Sequence, residues 1–348
     1  MTASETAARI PIGKPPAALL ERLFRRSVPR DPRVIVGPRV GEDAAVIDLG
    51  SGYLVATTDP ITFLADDIGW YAVQVNANDL AVRGARPAWF LMTLLLPENQ
   101  ATDTMLADIF AQVTAACEVV GASLVGGHTE VTAGLDRPIL AGTMLGEVAQ
   151  NCIVTTAGAQ IGDAVLLSKG IAIEGTSILA RNLAAELAVR GVDTDLIASA
   201  RRFARSPGIS VVPDAQAALR VVSIHSMHDP TEGGLATGLV ELASAAGVGL
   251  EIDRDAVPVL AECGRCCQAV GVDPWGLIAS GALLLTCAQT DAPAVLQAWR
   301  AAGIAGQIIG RVIPNAPGTV VDLNHAAPIL PFARDEVARL FTEGLPPA

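Results

Sequence analysis

The sequence predicts an α/β protein built from two domains. Three observations point there: the length of the chain, the alternation of strand-like and helix-like segments, and the restart of that alternation past the middle. At 348 residues the chain exceeds what one hydrophobic core usually spans. Its first part reads strand, strand, helix, strand, helix, strand, strand, an α/β layer pattern. The pattern begins again around Gly158-Ala-Gln-Ile-Gly-Asp163, so domains over 1–155 and 156–348 are expected.

The elements follow in order. Leu19, Leu20, Leu23 and Phe24 share one helical face near the N-terminus. Ala44–Leu49 and Tyr53–Thr58 flank Gly50-Ser51-Gly52 and predict a β-hairpin. Trp70–Val82 has helical periodicity and stops at Gly84-Ala-Arg-Pro87. Ala88–Leu96 reads as a buried strand, Thr102–Val120 as a helix, and Ala122–Val125 and Ile139–Val148 as strands. In the second part, strands are expected at Ala164–Ser168, Val221–Ile224 and Leu283–Thr286. Helices are expected at Gly175–Leu187, Ala215–Leu219, Gly233–Ala246 and Ala292–Ala302.

Composition excludes several function classes. A formal charge of −12 disfavours nucleic-acid partners, because phosphate backbones need clustered Lys and Arg. No run of about 18 apolar residues predicts a membrane span, and Met1–Pro15 does not read as a signal peptide, so a cytoplasmic protein is expected. The six cysteines read as reduced core residues rather than a disulfide framework. Cys263-x-x-Cys266-Cys267 has a zinc-like spacing, but no second such pair accompanies it, and structural thiols are the better reading.

Acidic and polar clusters stand where apolar runs end: Gly41-Glu42-Asp43, Thr57-Thr58-Asp59-Pro60, Asn76-Ala77-Asn78-Asp79 and Gly126-Gly127-His128-Thr129-Glu130. A buried carboxylate without a partner is costly, and several converging on one pocket need a divalent cation. Oxygen-rich sites of this type suit Mg²⁺. Singly, each carboxylate is equally at home capping a turn or lying on a helix face; together they favour a metal site. Gly126 and Gly127 would let backbone amides approach a phosphate. His228-Asp229-Pro230-Thr231-Glu232-Gly233-Gly234 leads into a helix whose N-terminus favours an anion, or which Asp229 or Thr231 simply caps. Lys169 is either a phosphate contact or a surface lysine. Arg83 and Arg86 read as partners of the preceding helix C-terminus.

These clusters, in this order, resemble the aminoimidazole ribonucleotide (AIR) synthetase superfamily, the PurM-like group. It includes the carbamoyl dehydratase of hydrogenase maturation, selenophosphate synthetase and thiamine-monophosphate kinase. Gly41-Glu-Asp-Ala-Ala-Val46, Thr57-Thr-Asp59, Asn76-Ala-Asn-Asp79 with Gly84-Ala-Arg-Pro87, and Gly126-Gly-His-Thr-Glu130 look like the successive family motifs. Asp229-Pro-Thr-Glu-Gly-Gly234 is closest to the dehydratase branch. The resemblance implies a homodimer whose N-terminal sheets join into a barrel, a C-terminal α/β sandwich domain, and ATP with Mg²⁺ near the dimer interface. It implies metal ligation by Asp43, Asp59, Asp79 and His128, and nucleotide contacts from Asn76, Asp79, Gly126, Gly127, Thr129, Lys169, Thr231, Gly233 and Gly234. Asp59, Asp229 and Glu232 would carry the chemistry: phosphorylation of an amide or carbonyl oxygen of a small molecule, with ADP released. The branch's C-terminal cysteine is missing from this sequence, whose last cysteine is Cys287, so dehydration on a tail thiol is not expected. Glu232 stands where the dehydratase motif has Arg, and His128 where relatives carry an acid. A kinase similar to thiamine-monophosphate kinase and a non-catalytic nucleotide-binding scaffold are the alternatives.

Overall fold

In the computed structural model the described residues are 15, 17–27, 29–39 and 41–346. Two six-stranded sheets organise them. The first holds β1 (Val34–Val36), β2 (Ala45–Asp48), β3 (Tyr53–Ile61), β4 (Arg86–Pro97), β5 (Ser123–Thr132) and β6 (Ile139–Val148), in spatial order β1-β2-β3-β6-β4-β5. The second holds β7 (Ala164–Ser168), β8 (Ile224–His228), β9 (Gly249–Ile252), β10 (Leu284–Cys287), β11 (Gly306–Ile313) and β12 (Val320–Asp322), in order β12-β9-β11-β7-β10-β8. The helices are α1 (Ala17–Phe24), α2 (Ile68–Ala81), α3 (Asp103–Val120), α4 (Ile173–Asn182), α5 (Ala184–Val189), α6 (Thr194–Arg201), α7 (Val212–Leu219), α8 (Gly234–Ala246), α9 (Ala261–Val270), α10 (Ala292–Ala301) and α11 (Glu336–Glu343).

The hairpin forms as its turn chemistry dictates, with Ala45 opposite Ala56 and Asp48 opposite Tyr53. Along β3, β4 and β6 side chains alternate between two faces. Val55, Phe90, Leu94, Leu140 and Met144 are buried beneath α2 and α3. The opposite face carries Leu54, Ala56, Leu91, Leu95, Ala141 and Leu145, only partly covered.

Every residue of α2 is buried, the polar Gln74, Asn76, Asn78 and Asp79 among them, as expected of a helix enclosed on all sides. It lies between the first sheet and the second half of the chain. Trp70 Nε1 donates to the Ala204 carbonyl at 2.9 Å. Asn78 uses both ends of its amide, donating to Ile209 O and accepting from Val211 N, each at 2.8 Å. One apolar core runs continuously from Val46 and Val55 through α2 to Cys287 and Trp299.

Several expectations need correction. The strand expected at Ala122–Val125 continues through Thr132, so Gly126–Glu130 is edge strand rather than loop. The strand placed at Val221–Ile224 lies at Ile224–His228, because polar His225, Ser226 and His228 hide its apolar alternation. The helix expected over Gly175–Leu187 is two helices broken at Leu183. Cys263, Cys266 and Cys267 are buried on α9, as structural thiols should be.

Candidate active site

Four segments bring carboxylates together. The turn before β2 supplies Asp43, β3 supplies Asp59, α2 supplies Asp79, and the loop after β8 supplies Asp229. The Thr57 hydroxyl lies 2.6 Å from Asp79 Oδ2 and 3.0 Å from the Asp43 carbonyl, tying strand, turn and helix into one corner. Asn76 fixes the end of β3 on the same helix. Its Oδ1 accepts from Asp59 N at 3.0 Å, while its Nδ2 donates to the Asp59 and Ala72 carbonyls.

The charges are unevenly balanced. Asp43 Oδ2 meets Arg83 Nη2 at 3.0 Å and His228 Nδ1 at 3.1 Å. Arg83 has no exposed side-chain surface and also meets Glu42 at 2.8 Å and the Thr156 hydroxyl at 3.1 Å. It therefore joins the two halves of the chain at the site, rather than serving the α2 C-terminus. Its sequence signal was a lone Arg after a buried helix, and nothing local marked its partners. His228 Nε2 faces Glu241 at 3.2 Å. Burial disfavours the charged ring, but Asp43 and Glu241 outweigh it and raise His228 to about 10. His228 is thus an imidazolium cross-brace between two carboxylates, a role its place before Asp229 only hinted at.

Asp229 and Asp79 stand in contrast. Both oxygens of Asp229 are buried without a hydrogen-bond partner. Burial pushes its carboxyl well above the usual range, Asp43 and Asp59 push it further, and His228 partly opposes them. Burial raises Asp79 likewise, reinforced by Asp59, Asp229 and Asp43. Ligand atoms of Asp43, His228 and Asp229 lie within 4.8 Å of one another. Orphaned hard oxygens beside a second carboxylate fit a magnesium ion. Since both ring nitrogens of His228 face carboxylates, Asp43 and Asp229 are the oxygen donors of that group.

The remaining expected residues are placed as follows. Thr231, Glu232, Gly233 and Gly234 form the loop from Asp229 into α8. Gly233 and Gly234 both adopt positive φ, at 80° and 66°, and a Cβ at Gly234 would lie 2.3 Å from the Trp275 carbonyl oxygen. Neither Asp229 nor Thr231 caps α8: Gly233 occupies the cap position, and its N–H donates to Asp335 Oδ2 at 2.8 Å. The anion expected at this helix end is thus a carboxylate of the chain itself. Lys169 is not a surface lysine. Its Nζ donates to the Gly208 and Ser210 carbonyls and meets Asp214 at 3.3 Å, which holds it inside the second half. Gly126, Gly127, His128 and Thr129 lie exposed on the edge strand β5, with His128 Nε2 3.1 Å from Glu130. His128 is not among the Asp43, His228 and Asp229 group. At Gly127 a Cβ would come 1.9 Å from the Met92 carbonyl oxygen, so glycine there serves the pairing of β5 with β4.

Residues 41–148 match the family model for the AIR synthase related protein, N-terminal domain, and residues 160–322 match its C-terminal domain. Over 325 residues the chain is 31% identical to carbamoyl dehydratase HypE of Cupriavidus necator, spanning 90% of this chain and 85% of that protein. It is 33% identical over 239 residues to a selenide, water dikinase of Geobacter metallireducens, spanning 66% of this chain and 64% of that protein. The fold is shared with Escherichia coli HypE, at TM-score 0.71 and 24% identity over 92% of this chain and 98% of that one. It is also shared with thiamine monophosphate kinase of Aquifex aeolicus, at TM-score 0.68 and 20% identity over 90% and 98%. With both family domains matched in order and a relative above 30% identity along most of its length, the chain belongs to the AIR synthase related family and, within it, resembles carbamoyl dehydratase HypE.

Proposed function

We propose that this chain is an ATP- and Mg²⁺-dependent enzyme of HypE type that phosphorylates an amide or carbonyl oxygen of a small molecule and releases ADP. The observation that carries the reading is the convergence of Asp43, Asp59, Asp79 and Asp229, with both Asp229 oxygens buried and unpartnered. As anions, Asp79 and Asp229 beside Asp43 and Asp59 are destabilised unless a cation completes the site. Solved relatives support the nucleotide: one is HypE in complex with ATP and another a ThiL complexed with AMPPCP and TMP.

Asp43, Asp59, Asp79 and Asp229 would hold the magnesium. When bound, the ion neutralises triphosphate charge and the charge that develops during phosphoryl transfer. The chain's own residues do the rest. Arg83 and His228 keep Asp43 oriented, Thr57 and Asn76 fix Asp79 and Asp59, and burial of Asp79 and Asp229 excludes water from one wall. Glu232, half-buried in the loop from Asp229 into α8, would face the substrate. Phosphorylation turns a poor oxygen leaving group into a good one.

We further propose domains over 1–155 and 156–348, a cytoplasmic location, and a homodimer formed through the first sheet. The partly covered face of Leu54, Leu91, Leu95 and Leu145 supports the dimer, as do the exposed edge strand β5 and its Val125 and Val131. Proteins pair or cover such edges. Pairing there would also bring Gly126–Glu130 and His128 to an interface. Light scattering at low micromolar concentration tests this: a mass near twice 35.8 kDa is expected, and a fully active species of single-chain mass would contradict it. Asp59→Asn should remove ADP release while the circular dichroism spectrum stays unchanged; normal turnover would take Asp59 out of the site.

A further inference from the structure

Asp43 and Asp79 are tied into the fold differently. Asp43 is bonded to both halves of the chain, through Arg83 and His228. Asp79 is bonded through Thr57 to its own half, whereas Asp229, which acts on it, belongs to the other. Mg²⁺ demands near-ideal octahedral geometry, so a site drawing oxygens from both halves needs α2 and the second half in one register.

A buried lysine outside the carboxylate group supplies that register. Lys169 follows β7, and its Nζ donates to Ser210 O at 2.6 Å and to Gly208 O at 3.2 Å, with Asp214 Oδ2 at 3.3 Å. The whole ammonium is thus engaged on one stretch of chain, Gly208–Asp214. The Lys169 backbone is left-handed, at φ 56°, a conformation that costs a residue with a Cβ free energy and persists where the surroundings hold it. Its N–H is fixed to Ala305 O at 2.8 Å. Gly281, at φ 111°, backs the same stretch: a Cβ there would lie 3.0 Å from Gly208 O and from Ile209 Cα.

The other edge of this stretch grips α2. Asn78 Nδ2 donates to Ile209 O and Asn78 Oδ1 accepts from Val211 N, each at 2.8 Å. The carbonyls of Gly208 and Ser210 therefore face the lysine, while O of Ile209 and N of Val211 face the asparagine. With Trp70 bonded to Ala204 O, the segment holds α2 at two points about 12 Å apart along its axis. Asn78 immediately precedes Asp79, and the helix turns by about 100° between them. One side chain reaches the second half as the other reaches Thr57 of the first sheet.

We propose that Lys169 is a positioning residue for the carboxylate site: through the Gly208–Val211 loop and Asn78 it sets where α2 holds Asp79 against Asp229, and so how tightly the site binds a divalent cation. The inference rests on the reading of these carboxylates as a metal site, and deepens it by naming the device that aligns ligands from the two halves. Lys169 touches none of the four carboxylates in this role. Its effect travels through the loop, two hydrogen bonds to Asn78 and one peptide link to Asp79.

The test reads metal affinity rather than turnover. Removing the lysine alone would leave Asp214 as an unpaired buried charge, so Lys169→Met is combined with Asp214→Leu, an exchange that buried ion pairs commonly tolerate. Asn78→Leu cuts the far end of the route. Binding of Mn²⁺ alone to the full chain is followed by electron paramagnetic resonance, which separates free from bound ion. Lys169→Met/Asp214→Leu should bind Mn²⁺ at least tenfold more weakly than wild type, while its ion-free melting temperature stays within about 5 °C. Asn78→Leu should weaken Mn²⁺ by a similar factor. All three changes together should weaken it no more than about twofold beyond the worse parent, because one route is cut only once. Affinity within twofold of wild type in Lys169→Met/Asp214→Leu, or losses that multiply in the triple variant, would overturn the proposal. If the pair variant melts far lower, Asn78→Leu decides: a tenfold loss supports the route, and unchanged affinity reduces Lys169 to a structural residue. Wild type is titrated alongside. Tight Mn²⁺ there with unaffected variants leaves the metal site standing without its positioning residue, and no Mn²⁺ binding removes the metal site itself.

Discussion

Asp43 and Asp229 sit side by side in the site, yet they solve the problem of a buried charge in opposite ways. Asp43 has two cations built into the fold, Arg83 and His228, drawn from the two halves of the chain. Asp229 has none bonded to it, and no side chain donates a hydrogen bond to its oxygens. One corner is therefore complete when the chain folds, whereas the other is stable only if its carboxyl stays protonated or something positive arrives. The first corner is a scaffold and the second is the place where the ligand's charge is used.

Breaking the complete corner should have the largest effect. Arg83→Met leaves Glu42 and Asp43 without their shared guanidinium, and urea denaturation should show a loss of about 3–5 kcal/mol. A loss below about 1 kcal/mol would mean that Asp43 and Glu42 do not depend on that cation. At the incomplete corner the sign reverses. Asp229→Asn should stabilise the ligand-free protein by about 1 kcal/mol, in the range expected when a site tuned for function is relaxed, and abolish ADP release. Destabilisation by a similar amount would show that Asp229 has a structural partner.

A smaller effect concerns pH. Glu174 and Asp335 are raised by burial to about 8 and about 7, from 4.5 and 3.8. The folded state therefore holds protons that the unfolded chain has released. Stability from these groups is complete below about pH 4 and is lost as pH rises toward 8. The melting temperature of the ligand-free protein should fall between pH 5 and pH 8.5, and Glu174→Leu should flatten part of that slope. A melting temperature that rises over this range would contradict both shifts.

The legible and illegible parts of the molecule divide along the same line. The hairpin around Gly50-Ser51-Gly52 and the helix expected over Trp70–Val82 were readable because turn chemistry and periodicity are local. The clusters holding Asp43, Asp59 and Asp79 were readable too, since each interrupts an apolar run, whereas Asp229 read as a helix-start residue and only the fold brings it beside them. The partners of Asp43 were not readable: Arg83 lies 40 residues away in the chain and His228 lies 185 away, and only tertiary packing joins them. Asp335, whose carboxylate occupies the α8 N-terminus, lies 102 residues beyond Gly233. The burial of Glu174 was missed because a single acid at a helix start is what an ordinary first turn contains. The strand β5 was cut short because Gly126-Gly127 ordinarily marks a loop, and only its pairing with β4 reveals the edge.

The contrast between the two corners is tested most directly by the melting temperature with ATP, measured with Mg²⁺ and again in EDTA. Without a cation, triphosphate and the carboxylates around Asp229 repel, so ATP in EDTA should leave the melting temperature unchanged. With Mg²⁺ and ATP at about 100 times its dissociation constant, the protein should gain about 2.7 kcal/mol and melt several degrees higher. Equal stabilisation by ATP in EDTA would contradict the claim that Asp229 and its neighbours are held ready for a metal ion.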